Sequence, residues 1–153
     1  MTEQLLEVAM KNHGNTVLRV AYSILGNRHD AEDVFNDVFF ALWQYKKEFA
    51  GENHLKAWLI RVTLNKAKNV KKQAFNRYNT QLDDNIIAPE IDGQNGDVLQ
   101  ALKKLKLKAR AVVYLHYYEG YNYTEIAKML KQSEGNIRII ALRTREQLKE
   151  LLR

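Results

Sequence analysis

The sequence predicts an all-α protein built as two helical parts with a flexible linker between them. Three observations carry that expectation. One proline, Pro89, and seven glycines among 153 residues leave long stretches free to be helical. Apolar residues recur along those stretches at three- and four-residue steps. Turn-forming residues gather once, between residues 79 and 97, including Asn79, Asp83, Pro89, Gly93 and Gly96. At 46% apolar and 27% charged residues, the composition is that of a folded chain rather than a disordered one.

A first helix is expected over Glu3 to Leu25, with Leu5, Leu6, Ala9, Val17, Val20, Ala21 and Ile24 on its apolar side and Gly26-Asn27 as its stop. A second is expected from Asp30 to Phe49, with Val34, Phe35, Val38, Phe39, Leu42, Trp43 and Tyr45 forming a wide apolar face. Phe49 to His54 reads as a loop. A third helix is expected from Leu55 to Tyr78, its inward side made by Trp58, Leu59, Val62 and Ala67. From Tyr78 to Leu102 there are five acidic residues and no basic one, which marks residues 79–97 as an acidic linker and the boundary between domains 1–78 and 98–153.

Beyond the linker, Val98–Leu105 and Ala109–Tyr118 read as two amphipathic pieces. Asn122-Tyr-Thr-Glu125 has the form of a capping box opening a short helix through Leu130. Lys131-Gln132-Ser133 reads as a tight turn, and a last helix runs from Glu134 to the end. This strip has the dimensions of a DNA-binding helix-turn-helix; the alternative is an ordinary helical hairpin with a solvated basic face. Ala127 supplies the small residue at the crossing, Ile126 and Leu130 face inward, and Ile137, Ala141, Thr144 and Leu148 form one stripe. Arg138, Arg145 and Lys149 flank that stripe on one side and Arg143 on the other.

Charge separates the rest of the surface. The formal net charge of +6 favours a polyanionic partner. Asp30, Glu32, Asp33 and Asp37 cluster on the second helix, where Asp33 and Asp37 share a face. Between His54 and Tyr78 seven basic residues occur without an acidic one, with Phe49, Trp58, Phe75 and Tyr78 interleaved. Basic groups beside aromatic rings suit unpaired nucleic acid, because phosphates are neutralised while bases stack. The alternative for Trp58 is a core role, holding the loop. The alternative for the lysines is a solvated helix face.

The absence of cysteine excludes disulfides and thiol chemistry, and the four histidines lack helical metal-ligand spacing. No metal or cofactor is therefore expected. With no secretory signal pattern and no run able to span a membrane, the cytoplasm is the expected location.

Asp30-Ala-Glu-Asp-Val-Phe-Asn-Asp-Val-Phe39, Phe49-Ala-Gly, Ala57-Trp-Leu-Ile-Arg-Val62 and Asn65-Lys-Ala-Lys-Asn69 resemble region 2 of extracytoplasmic-function sigma factors, a type within the sigma-70 family. Glu119-Gly-Tyr-Asn-Tyr-Thr-Glu-Ile-Ala127 and Ser133-Glu-Gly-Asn-Ile-Arg138 resemble region 4. The resemblance implies a non-enzymatic initiation factor that brings core RNA polymerase to promoters and opens the −10 region. It implies that Asp33, Asn36 and Asp37 dock on polymerase. It assigns −10 DNA to Phe49, Gly51, Glu52, Asn53, Asn65, Lys66, Lys68 and Lys72, and −35 DNA to Asn136, Arg138, Ile139, Leu142, Arg143 and Arg145. The implied partners are the β′ clamp helices and β flap of core polymerase, promoter DNA, and an anti-sigma factor. Ile139-Ile140 departs from the family's polar pair. Ile139 and Leu142 point away from the core stripe, and three uses stand open for them: thymine methyls, another protein, or the N-terminal domain. A degenerate sigma-like regulator without standard −35 readout is the alternative function.

Overall fold

A computed structural model describes residues 1–78 and 105–152, with side chains omitted for 74–78. The predicted linker 79–97 and nearly all of the predicted Val98–Leu105 helix lie outside the described residues. Two units are found, Met1–Ala74 and Phe75–Arg153.

In the first unit, α1 spans Glu3–Leu25. Thr2 caps it by accepting from the Leu5 amide, and Gly26, at φ 73°, closes it with an N–H to the Tyr22 carbonyl. That left-handed cap is the conformation glycine takes without a Cβ clash. Asn27 then caps α2, Arg28–Gln44, through the Asp30 amide at 2.8 Å. The two-residue link lets α2 pack along α1, where Val17, Val20, Ala21, Ile24 and Leu25 meet Val34, Val38, Phe39 and Leu42 in a common core. Gly14 sits at this crossing: a Cβ there would stand 3.3 Å from the Phe35 ring.

Two expected boundaries shift. α2 stops at Gln44, five residues before Phe49, because Tyr45 turns extended and lays its ring on Phe49 and Trp58, with centroids 5.2 and 4.7 Å away. α3 begins at Glu52 and runs to Tyr78, so Glu52 and Asn53 belong to its first turn rather than to a loop. The Gly51 carbonyl accepts the first helical bond, from Leu55, and the Glu52 carboxylate favours the positive helix end. The buried side of α3 is Leu59, Ile60, Thr63, Leu64 and Ala67, whereas Trp58 and Val62 are half-buried. Thr63 enters the core because its hydroxyl donates to the Leu59 carbonyl at 2.6 Å.

In the second unit, α4 spans Leu107–Val113 and passes into a π-helical turn, Tyr114–Tyr118, where a single helix through Tyr118 was expected. Arg110 on α4 is buried, and burial pushes its guanidinium down to about 10, which leaves it charged at neutral pH. α5, Tyr123–Leu130, and α6, Glu134–Leu151, follow. No helix among the described residues is long and apolar enough to cross a membrane, and no group of three or more metal-binding side chains occurs among them.

Candidate nucleic-acid interface

Along α2, Asp33, Asn36 and Asp37 are all exposed. At about 100° per residue, Phe40 and Trp43 continue the same stripe. These two rings are 61% and 43% exposed. Trp43 therefore leaves the inward face on which the apolar pattern put it, and Phe40 joins the surface unannounced. Asp30 is occupied with the cap, Arg28 pairs with Glu32 at 3.0 Å, and His29 lies 3.6 Å from Asp33. The result is an acidic patch running into an apolar one on a single helix face.

The connection between α2 and α3 is held by rings. Phe49 is half-buried between Tyr45, His54 and Trp58, and the His54 Nδ1 accepts the Ala50 amide at 2.9 Å. Gly51 and Asn53 are exposed. Glu52 lies on the bundle side of α3, where its carboxylate meets the Nε2 of buried His13 at 2.7 Å. On the outward side, His54, Trp58, Arg61, Asn65, Lys68 and Lys72 form one stripe by helical phase. Lys66 is half-buried and stands about 100° round the helix from Asn65, so it flanks the stripe rather than joining it. Arg61 belongs there instead. Its spacing of four from Asn65 and three from Trp58 was a signal available in the sequence.

The C-terminal strip is a helix-turn-helix. The capping box closes as expected: Asn122 accepts the Glu125 amide and Glu125 accepts the Asn122 amide, at 2.8 and 3.1 Å. Lys131 ends α5 at φ 55°, a left-handed turn residue, and Ser133 caps α6 through the Asn136 amide. Ile126, Ala127 and Met129 of α5 and Ile137 and Thr144 of α6 are buried where the two helices meet the core, while Leu130, Ala141 and Leu148 are half-buried. The Asn136 side-chain Nδ2 donates to the Gln132 Oε1. Arg138 donates to Glu134 at 2.7 Å and lies 5.3 Å over the Tyr123 ring. That hydrogen bond, with a second from Thr124, holds the Glu134 carboxyl below its ordinary value. Arg145 reaches the Tyr123 hydroxyl at 3.3 Å, and its hydrogen bond with Tyr117 raises its guanidinium further. Tyr123 stacks in turn on His116, whose Nδ1 bonds the Tyr121 carbonyl. Arg143, Ile139 and Leu142 are exposed.

Residues 9–75 match the family model for sigma-70 region 2, and residues 95–148 match that for sigma-70, region 4. The chain belongs to the sigma-70 family, as a factor of the extracytoplasmic-function type. Such a factor serves transcription initiation. The chain is 29% identical to the ECF RNA polymerase sigma factor SigE of Mycolicibacterium smegmatis, over 94% of its own length and 60% of that protein's, so it spans less than two thirds of that relative. It is 24% identical to the RNA polymerase sigma factor NccH of Alcaligenes xylosoxydans xylosoxydans, over 94% of this chain and 84% of NccH. Among solved structures, it resembles the sigma factor RpoE from Bartonella quintana, crystallised with the anti-sigma factor NepR, at a TM-score of 0.75 and 22% identity over 95% of each chain. It also resembles CnrH, in complex with the cytosolic domain of CnrY, at 0.67 and 23%, over 99% of this chain and 89% of that one. At those identities the likeness is one of fold.

Within this sigma factor, region 2 carries the α2 stripe and the basic stripe of α3, and region 4 carries the helix-turn-helix. Sequence reasoning missed the side chains that hold the expected site residues in place. His13 for Glu52, Glu134 for Arg138 and Tyr117 for Arg145 were passed over, although the tyrosine-rich run from 114 to 123 stood next to the motif.

Proposed function

We propose that this sigma factor docks on core RNA polymerase through the α2 stripe of Asp33, Asn36, Asp37, Phe40 and Trp43. The connection at Phe49, Gly51, Glu52 and Asn53, with Asn65, Lys68 and Lys72 of α3 and Lys66 at their edge, then takes the opened −10 strand. Region 4 lays α6 into duplex at −35 through Asn136, Arg138, Ile139, Leu142, Arg143 and Arg145. The observation that carries the reading is the segregation within region 2: one helix face is acidic and aromatic, and a neighbouring helix is basic. A protein surface with cationic groups complements the first, and phosphates with unstacked bases complement the second. Polymerase supplies the chemistry, so no side chain here needs a covalent role, and the factor works where polymerase and DNA are, in the cytoplasm. An anti-sigma factor is a further partner, supported by the complex with the anti-sigma factor NepR in which the Bartonella quintana relative was solved.

Run-off transcription with core polymerase tests this. Asp37→Lys is expected to abolish comigration with the core enzyme. Lys68→Glu is expected to retain it while losing open-complex permanganate reactivity. Comigration of wild type and Asp37→Lys to the same extent overturns the docking face. One observation favours a second reading, a regulator without −35 readout: the aliphatic pair Ile139 and Leu142 lies at the surface meant for bases. A holoenzyme footprint confined to the −10 side selects that reading.

A further inference from the structure

A helix lying on a folded core has its polar residues opposite the buried stripe. α6 reverses this at its outward centre. Opposite buried Ile137 and Thr144 stand Ile139 and Leu142, 49% and 58% exposed. One turn before Ile139, on the same outward side, is Gly135, whose missing Cβ leaves open space with nothing within 4 Å. Gly14, by contrast, is small because the Phe35 ring fills the place of its Cβ. Gly135 weakens a helix without serving the packing of its own chain, and the room it leaves is room for something outside. On either side of this apolar strip are cations. Arg143 is on one flank, and Arg138, Arg145 and Lys149 are on the other, with Arg138 and Arg145 steadied by Tyr123.

An apolar strip between two cationic rims complements a groove with phosphate walls and an apolar spot on its floor. In the major groove, that spot is the thymine 5-methyl; the other base edges there present hydrogen-bonding groups. An aliphatic side chain pressed on guanine, cytosine or adenine strips water from a donor or acceptor and returns no partner. We propose that Ile139 and Leu142 read thymine in the upstream promoter duplex through its 5-methyl groups, with Gly135 admitting the base edges closely. The inference rests on the reading of region 4 as a duplex-binding element.

The test replaces thymine with uracil, which deletes the methyl and keeps every hydrogen bond. Holoenzyme made from the full chain and core polymerase selects fragments from a library randomised upstream of a fixed −10 segment. The best-bound duplex is then rebuilt with uracil at each upstream thymine. A contacted methyl is expected to be worth about three- to fivefold in affinity, at one or two positions. The Ile139→Ala, Leu142→Ala variant, unaltered in helical content and in comigration with polymerase, is expected to bind both duplexes equally. Equal binding of both by wild type overturns the inference, as does a methyl effect that survives in the variant. Footprints that stop at −10 overturn the region 4 reading itself, and failure to form holoenzyme overturns the docking face. The three failures are therefore distinguishable.

Discussion

Replacing Gly135 with alanine separates fold from function, because the two should move in opposite directions. The backbone there is already helical, and a new methyl meets only open space. Alanine in place of glycine stabilises an exposed helical position by about 0.5–1 kcal/mol. The first-turn location places the gain at the low end, so amides of the first half of α6 should exchange with deuterium about twofold more slowly. In the proposed complex the same methyl occupies the approach to the base edges. Crowding a close contact costs about 1–3 kcal/mol, so holoenzyme affinity for upstream duplex should fall by about fivefold or more. Hydrogen-exchange mass spectrometry of the full chain reads the first effect, and fluorescence anisotropy with labelled duplex reads the second. Slower exchange with unchanged affinity refutes the claim that the space at Gly135 is reserved for DNA. Faster exchange refutes the claim that the space is open.

Other perturbations follow from the same contacts. The Glu134 carboxyl is held below its ordinary value of 4.5 by Arg138, so the support it gives is present above that value and fades as pH falls through the lowered one. A carbon-13 titration should show its midpoint return towards 4.5 in Arg138→Ala, and an unmoved midpoint contradicts the pairing. Glu134→Gln should release Arg138 to phosphate and tighten duplex binding by about two- to threefold, with a log–log salt slope steeper by up to about one. Trp58→Ala removes ring contacts with Tyr45 and Phe49 and should cost about 2–3 kcal/mol in urea unfolding. Trp43→Ala, at an exposed position, should stay within about 0.5 kcal/mol while weakening capture by core polymerase. Ile137→Ala empties a fully buried site and should cost about 2–5 kcal/mol, seen as loss of protection across α5 and α6.

Local chemistry was legible wherever one short segment decides its own shape. Gly26-Asn27 announces both a stop and a start, and Asn122 with Glu125 announces a cap; each contact is present. The misses arise where packing or hydrogen-bond register decides. Tyr45 looks like the next helical residue after Gln44 until Trp58, thirteen residues on, draws its ring away. Thr63 looks like a surface residue until its hydroxyl turns back on its own helix, and placing it inside rotates the buried face of α3 away from Trp58 and Val62. The π-helical turn at Tyr114–Tyr118 shifts hydrogen-bonding register without any change of residue type, so periodicity carries no trace of it. The charge segregation read along the sequence appears in the fold as exposed faces, acidic on α2 and basic on α3. The pairing of Glu52 with His13, across thirty-nine positions, could come only from the fold.

Both tryptophans lie in region 2, in different settings: Trp43 is open on α2, and Trp58 is wedged under the ring cluster at Tyr45 and Phe49. The protein thus carries two unlabelled optical reporters. Seating on polymerase should dim or blue-shift the first, and rearrangement of the connecting segment should perturb the second. With single-tryptophan versions, stopped-flow emission would time these events separately and give the order in which assembly proceeds.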